Sequence, residues 1–253
     1  MAHRSDWLHS VRQRFGPDTR VGALSGAIAL IFFGSVFSLF VYSVYRPLVN
    51  GIVAPRFPDI AYLMGAKGSQ VAFGVVIVAY LAATQRWEYV QIRLPTRHDT
   101  LWVVLGTAGL DIMAEAAQFA LPLLGLSLEL LSGTGADVGL GRWPLLWPVV
   151  FLGLYLVPAL VEEQFVRGIV QGKLRDTFHP ASEVVLGAAL FSLLHGLYGV
   201  ARGPEFLAAY LFVLFGQGLA FCLTYQRTRN LFVVALVHAI SWADVGFPFF
   251  GLL

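Results

Sequence analysis

Val157-Pro158-Ala159-Leu160-Val161-Glu162-Glu163-Gln164-Phe165-Val166-Arg167 sets two carboxylates and a guanidinium inside a run that is otherwise apolar from residue 144 to 170. A bilayer core about 30 Å thick asks for roughly 20 apolar residues at about 1.5 Å per helical residue, so the run reads as a membrane-spanning helix with ionisable groups inside it. Outward from it, six further stretches read the same way, giving spans near 21–45, 68–84, 99–131, 144–170, 184–200, 206–225 and 231–251. The 253 residues are 57% hydrophobic and 13% charged, against about 25% charged in soluble domains, and no polar segment is long enough to clothe a soluble core. The expected fold is therefore all-α: one membrane domain over 1–253, a polytopic helical bundle of about seven to eight spans with a polar intramembrane cavity.

The prolines and the charges refine this picture. Pro122 is expected to bend the third span, Pro148 and Pro158 to kink the fourth, and Pro47, Pro55 and Pro58 to make Arg46 to Lys67 an outside loop. The apolar stretch after Arg20 exceeds the roughly 7–15 residues of a signal-peptide core, so it reads as an uncleaved first span. With the N-terminus inside, eleven Lys and Arg (Arg4, Arg12, Arg14, Arg20, Arg86, Arg93, Arg97, Lys173, Arg175, Arg227, Arg229) fall in inner segments. Five (Arg46, Arg56, Lys67, Arg142, Arg202) fall in outer ones. That favours a cytoplasmic N-terminus. The compact length and short loops suit a prokaryotic inner membrane. A net charge of +2 without a basic stripe argues against nucleic acid as a partner, and the single cysteine, Cys222, excludes an intrachain disulfide.

An ionisable group in mid-span is costly and so marks a function with a partner to be named. Glu163 and Arg167, one helical turn apart, have the order that favours an ion pair, which leaves Glu162 without that partner. A desolvated carboxylate suits general acid–base work; the plainer reading is that both glutamates and Arg167 solvate the mouth of the span. The fifth span carries Phe191 and His195 on one face, and the last carries His238 with Trp242 on its face and Ser241 one turn away. Two histidines and a glutamate in three apolar spans would partner one another, which points to a shared site. Asp111 and Glu115 share a face of the third span, where they could line a watery cavity, hold a cation or pair with Arg167; a supporting role is expected. Asp244 cannot share the face of His238 on an unbroken helix and reads as solvated. The chain has no H-E-x-x-H, G-x-S-G or G-x-G-D segment, which disfavours zinc, serine and aspartyl routes to peptide cleavage.

Glu162-Glu163-x-x-x-Arg167, Phe191-x-x-x-His195 and His238, in that order, resemble the three motifs of the CPBP intramembrane proteases, also called the CAAX protease and bacteriocin-processing or ABI family. The resemblance covers 144–251 as a catalytic core. It implies an endopeptidase in which Glu162 is the general base, His195 assists it, and His238 stabilises the oxyanion, while Glu163, Arg167 and Phe191 support the site. The family's last motif commonly ends in asparagine; here Trp242 stands there, offering its indole N–H, with the Ser241 hydroxyl beside it. Two histidines and a glutamate can ligate a divalent metal or activate water unaided, so no cofactor is assigned and the metal is left open. The partners implied are the lipid bilayer and a membrane-anchored protein or peptide: a lipidated or sorting C-terminal tail, or a leader peptide. Two other readings remain at this point. One is a non-enzymatic scaffold or immunity factor that binds peptides, and the other is a transporter with a relay through Asp111, Glu115 and Glu162, which would call for paired broken helices.

Overall fold

The computed structural model describes residues 19–127, 131, 145 and 147–243, and among them there are helices and no strand. In chain order they are α1 (Arg20–Ile52), α2 (Pro58–Ala66), α3 (Gly68–Thr84), α4 (Arg97–Leu123), α5 (Trp147–Arg175), α6 (Pro180–Val200), α7 (Pro204–Thr228) and α8 (Leu231–Trp242), with a 3-10 turn at Trp87–Tyr89 between α3 and α4. Among the described residues six helices are long and apolar enough to cross a membrane: α1, the α2–α3 pair, α4, α5, α6 and α7. The described residues thus supply six of the seven to eight spans expected. The expected seventh is the 12-residue α8, about 18 Å long, and the rest of the 231–251 stretch lies outside the described residues. The outward faces carry large apolar side chains such as Phe32, Ile112 and Phe119, as a surface solvated by lipid requires.

Local chemistry sets the ends of these helices. Thr96 and Asp99 form a reciprocal capping box at the start of α4, Asn230 caps α8, and α2, α6 and α7 begin on proline, whose fixed φ suits the first turn. Pro122 does not bend α4; the helix ends there. Gly125 takes φ +73, the Leu126 N–H reaches the Leu121 carbonyl at 3.0 Å, and the Gly125 N–H reaches Pro122 at 3.1 Å, closing the helix as a Schellman motif. The expected outside loop at Arg46 to Lys67 is also corrected. α1 runs through Pro47 to Ile52, because one missing N–H near a helix end forfeits a single hydrogen bond, and Pro58 starts a new helix after a short turn. In α5 the kinks take a specific form. Turns of π-helix at Phe151–Leu156 and Gln164–Gln171 flank the α-helical Val157–Glu163, and the Val157 N–H reaches five residues back to Leu152 just before Pro158. Such wide turns absorb a missing donor and rotate the side chains that follow.

α5 is the central helix. Phe165, Val166, Ile169, Val170 and Leu174 are fully buried among α1, α3, α6 and α8, and Phe165 stacks on Phe73 at 4.9 Å. α6 and α7 approach closely: a Cβ on Gly218 would lie 2.9 Å from the Ala188 Cα. At one end of the bundle, buried Asp99 accepts from both guanidinium nitrogens of Arg93, whose Nη2 also donates to the Thr228 carbonyl at 2.9 Å. Asn230 exchanges hydrogen bonds with the Arg93 backbone, Arg86 pairs with Asp176 at 3.5 Å, and Arg20 donates to Thr177. These contacts gather Arg20, Arg86 and Arg93 at one end, as the charge count grouped them.

Candidate active site

The middle of α5 presents Glu162 and Glu163, consecutive and therefore about 100° apart around the helix, to different neighbours. Glu163 Oε2 meets Arg167 Nε at 3.1 Å within α5, and Glu163 Oε1 lies 2.6 Å from His238 Nδ1 on α8. The Arg167 guanidinium is fully buried and lies over the faces of Phe191 and Phe221, 4.4 and 5.0 Å from their centroids, so two aromatic rings and one carboxylate replace its water. This is the ion pair that the i, i+4 spacing predicts.

Glu162, left without Arg167, faces the other way, toward α3 and α6. Its Oε2 accepts from Gln70 Nε2 of α3 at 2.7 Å, and its Oε1 lies 3.5 Å from His195 Nε2 of α6. Ser69 donates to Gln70 Oε1 at 3.0 Å, which turns the amide so that its nitrogen meets the carboxylate. His195 Nδ1 lies 3.0 Å from the Phe191 carbonyl, and a carbonyl only accepts, so Nδ1 carries a proton. The Phe191 ring sits 4.7 Å from the His195 ring, which joins the two residues of the F-x-x-x-H element in one packing unit. Glu162 and Glu163 are sealed from solvent while the His195 side chain keeps 19% exposure, so the histidine rims the opening of the cluster.

His238 is packed between Phe221 and Trp242, with ring centroids 4.7 and 4.2 Å away. Ser241 is exposed and its hydroxyl donates to the His238 carbonyl at 2.8 Å, so it turns back to its own helix, and the alternative that it faces the site is corrected. Asp111 and Glu115 do not join the cluster. They sit half-buried and exposed on α4 beside outward-facing Ile112, while Arg167 is occupied by Glu163. Asp244 lies outside the described residues. Among the described residues no three His, Cys, Asp or Glu side chains converge as a metal-ligand group; the glutamates and histidines form two separate pairs.

The structure adds two residues to the site. Gln70 is a buried amide in an apolar helix, a signal of the same kind as the mid-span glutamates, though its neighbours make no motif. Lys67, at the break between α2 and α3, places Nζ 3.2 Å from the centroid of the Trp242 ring and 5.7 Å from that of Tyr155. In the sequence it passes for one more loop cation.

Four helices, α3, α5, α6 and α8, thus deliver two carboxylate–histidine pairs and a buried guanidinium to one point in an apolar bundle. No curated protein and no solved structure matches the chain. Residues 144–242 match the family described as Type II CAAX prenyl endopeptidase Rce1-like, the segment that carries Glu162, Glu163, Arg167, Phe191, His195 and His238, and that match supports the resemblance of this integral membrane protein to the CPBP family of intramembrane proteases.

Proposed function

We propose that the chain is an intramembrane endopeptidase that hydrolyses a peptide bond in a membrane-tethered substrate, with water activated by Glu162 and His195. The observation that carries this reading is the facing of Glu162 Oε1 and His195 Nε2 at 3.5 Å. With the proton of the neutral ring on Nδ1, Nε2 is an acceptor, and the carboxylate oxygen opposite it is another. A water between two acceptors can donate one hydrogen to each, which leaves its lone pair directed at an incoming carbonyl carbon. Among the described residues no protein group donates to Glu162 Oε1, so that oxygen is available to take the water's proton, while Gln70 holds the other oxygen still.

Attack breaks a water O–H bond, forms the C–O bond and moves the carbonyl electron pair onto oxygen. Glu162 holds the proton and returns it to the amine as the C–N bond breaks. His238 supplies a donor to the oxyanion. Its Nδ1 is bound to Glu163, which fixes the ring, and the donor to the oxyanion is the Nε2–H of the doubly protonated ring. Glu163 and Arg167 hold that ring in place.

In this reading the catalytic core is 144–251 together with α3, within one membrane domain and around a polar cavity that admits an extended peptide. A peptide bond enters such a bundle most readily in a segment that the bilayer already holds, such as a lipidated or sorting tail or a leader peptide. The end that carries Arg20, Arg86 and Arg93 faces the cytoplasm, so the N-terminus does too, and a prokaryotic inner membrane suits the short connections.

The test is to incubate detergent-purified wild type and Glu162→Gln with membrane peptides from the same cells and to read products by mass spectrometry. A product made by wild type alone supports the reading and identifies the bond cut. Equal product from the two folded proteins removes Glu162 from the chemistry and the reading with it.

A further inference from the structure

The family's third motif commonly supplies a second oxyanion donor, an asparagine one turn after the histidine, and this chain has Trp242 there. Trp242 is not idle. Its ring lies 4.2 Å from the His238 ring, and the Lys67 ammonium sits over it at 3.2 Å. Lys67 is three residues before Gln70, the residue that grips Glu162, and is near enough to Glu162 to feel its charge.

A cation on an aromatic face is held by the ring quadrupole and keeps its N–H groups for other acceptors. Among the described residues no carboxylate lies within 4.0 Å of Lys67 Nζ, although the residue stands inside a span where an unpaired charge is expensive. A transient negative charge beside His238 resolves both facts. We propose that Lys67, steered by Trp242, is the second oxyanion donor and takes the place of the missing asparagine. Trp242 is then a positioning residue, and an ammonium replaces an amide opposite the developing O⁻. This rests on the hydrolytic reading above.

Two measurements test it. In the first, kcat and KM are measured on the peptide that the cleavage test identifies, with Glu162→Gln as the inactive reference. Lys67→Met is expected to lower kcat about 100- to 1000-fold with little change in KM, the loss typical of one oxyanion donor. Lys67→Met combined with Trp242→Asn is expected to regain at least about tenfold, because the amide then returns to its usual place. A wild-type kcat for Lys67→Met, or a loss confined to KM, overturns the proposal. The second measurement needs no turnover. Inorganic phosphate, a tetrahedral anion, is titrated into wild type and Lys67→Met in detergent and followed by tryptophan fluorescence, with Trp242→Phe marking that residue's share of the signal. Binding at least about tenfold weaker in Lys67→Met is expected, and equal binding overturns the proposal. Lys67-dependent phosphate binding with no cleavage by wild type would leave the anion site standing and remove the hydrolytic reading alone.

Discussion

Replacing Gln70 by leucine removes little volume and two hydrogen bonds, only one of them to Glu162, so its consequence for the carboxylate can be worked from a single contact. The bond runs from Gln70 Nε2 to Glu162 Oε2 at 2.7 Å, both side chains are buried, and the acceptor carries charge. A hydrogen bond to a charged group contributes about 1.5–3 kcal/mol. If that amount is lost from the ionised, correctly turned carboxylate in the transition state, kcat/KM falls roughly 10- to 150-fold, at about 1.36 kcal/mol per decade. Fold stability should change far less, because an apolar side chain at this position suits its neighbours in α3 and the freed oxygen can turn toward His195. The assay is cleavage of the peptide found with wild type, alongside thermal unfolding in detergent. Gln70→Leu that cleaves at the wild-type rate while Glu162→Gln is dead would refute the claim that α3 orients the base. Gln70→Leu that unfolds would show the amide to be structural.

Three other outcomes follow from contacts described above. Arg167→Leu strands Glu163 without its cation in an apolar core and should cost about 3–5 kcal/mol, seen as a lower unfolding temperature in detergent, with cleavage abolished because His238 loses its fixed partner. Gly218→Ala puts a Cβ 2.9 Å from the Ala188 Cα, so α6 and α7 must part. About 1–3 kcal/mol of stability is expected to go, and kcat with it as His195 shifts away from Glu162, measured by unfolding and by turnover. Asp99→Ala breaks the capping box of α4 and leaves Arg93 with fewer acceptors, for a loss of about 2 kcal/mol in unfolding while kcat of the folded protein holds, since this end of the bundle is remote from the glutamates.

How far the site could be read from residues alone depends on whether its contacts are local. Glu163 with Arg167, and Phe191 with His195, are one turn apart, and helical geometry makes them neighbours before any tertiary structure is known. That Glu162 and His195 meet, and Glu163 and His238, could be argued only from the cost of burying each alone. That argument names which groups need partners but cannot divide them into pairs. Gln70 lies 92 residues before Glu162 in the chain, with Lys67 three further back, and only the packing of α3 against α5 brings them in. The errors about elements have a related cause. Pro47 reads as part of a loop and Pro122 as a bend, yet each sits near a helix end, where a missing N–H matters little, and the glycine at 125 decides where α4 stops.

The pairing of consecutive glutamates with histidines from different helices explains why two carboxylates stand side by side in the middle of an apolar helix. In the proposed mechanism one carboxylate cannot both neutralise Arg167 and act as the base, because Glu163 turns its two oxygens to Arg167 and His238 and neither toward His195. Placing the two roles on adjacent residues separates them by about 100° of rotation while keeping both at one depth in the bundle. Glu163, locked to Arg167 and His238, becomes part of the frame, and Glu162 keeps one oxygen toward His195, the one the proposed mechanism uses. The π-helical turn that begins at Gln164 follows directly. It changes the angular spacing just past the pair, so Phe165 to Val170 can bury against α1, α3 and α6 without turning either glutamate from its histidine. Insertion or deletion of one residue between Pro158 and Glu162 would rotate both glutamates by that same 100°. The frame and the base would then be lost together, a failure that no single side-chain replacement in the site should reproduce.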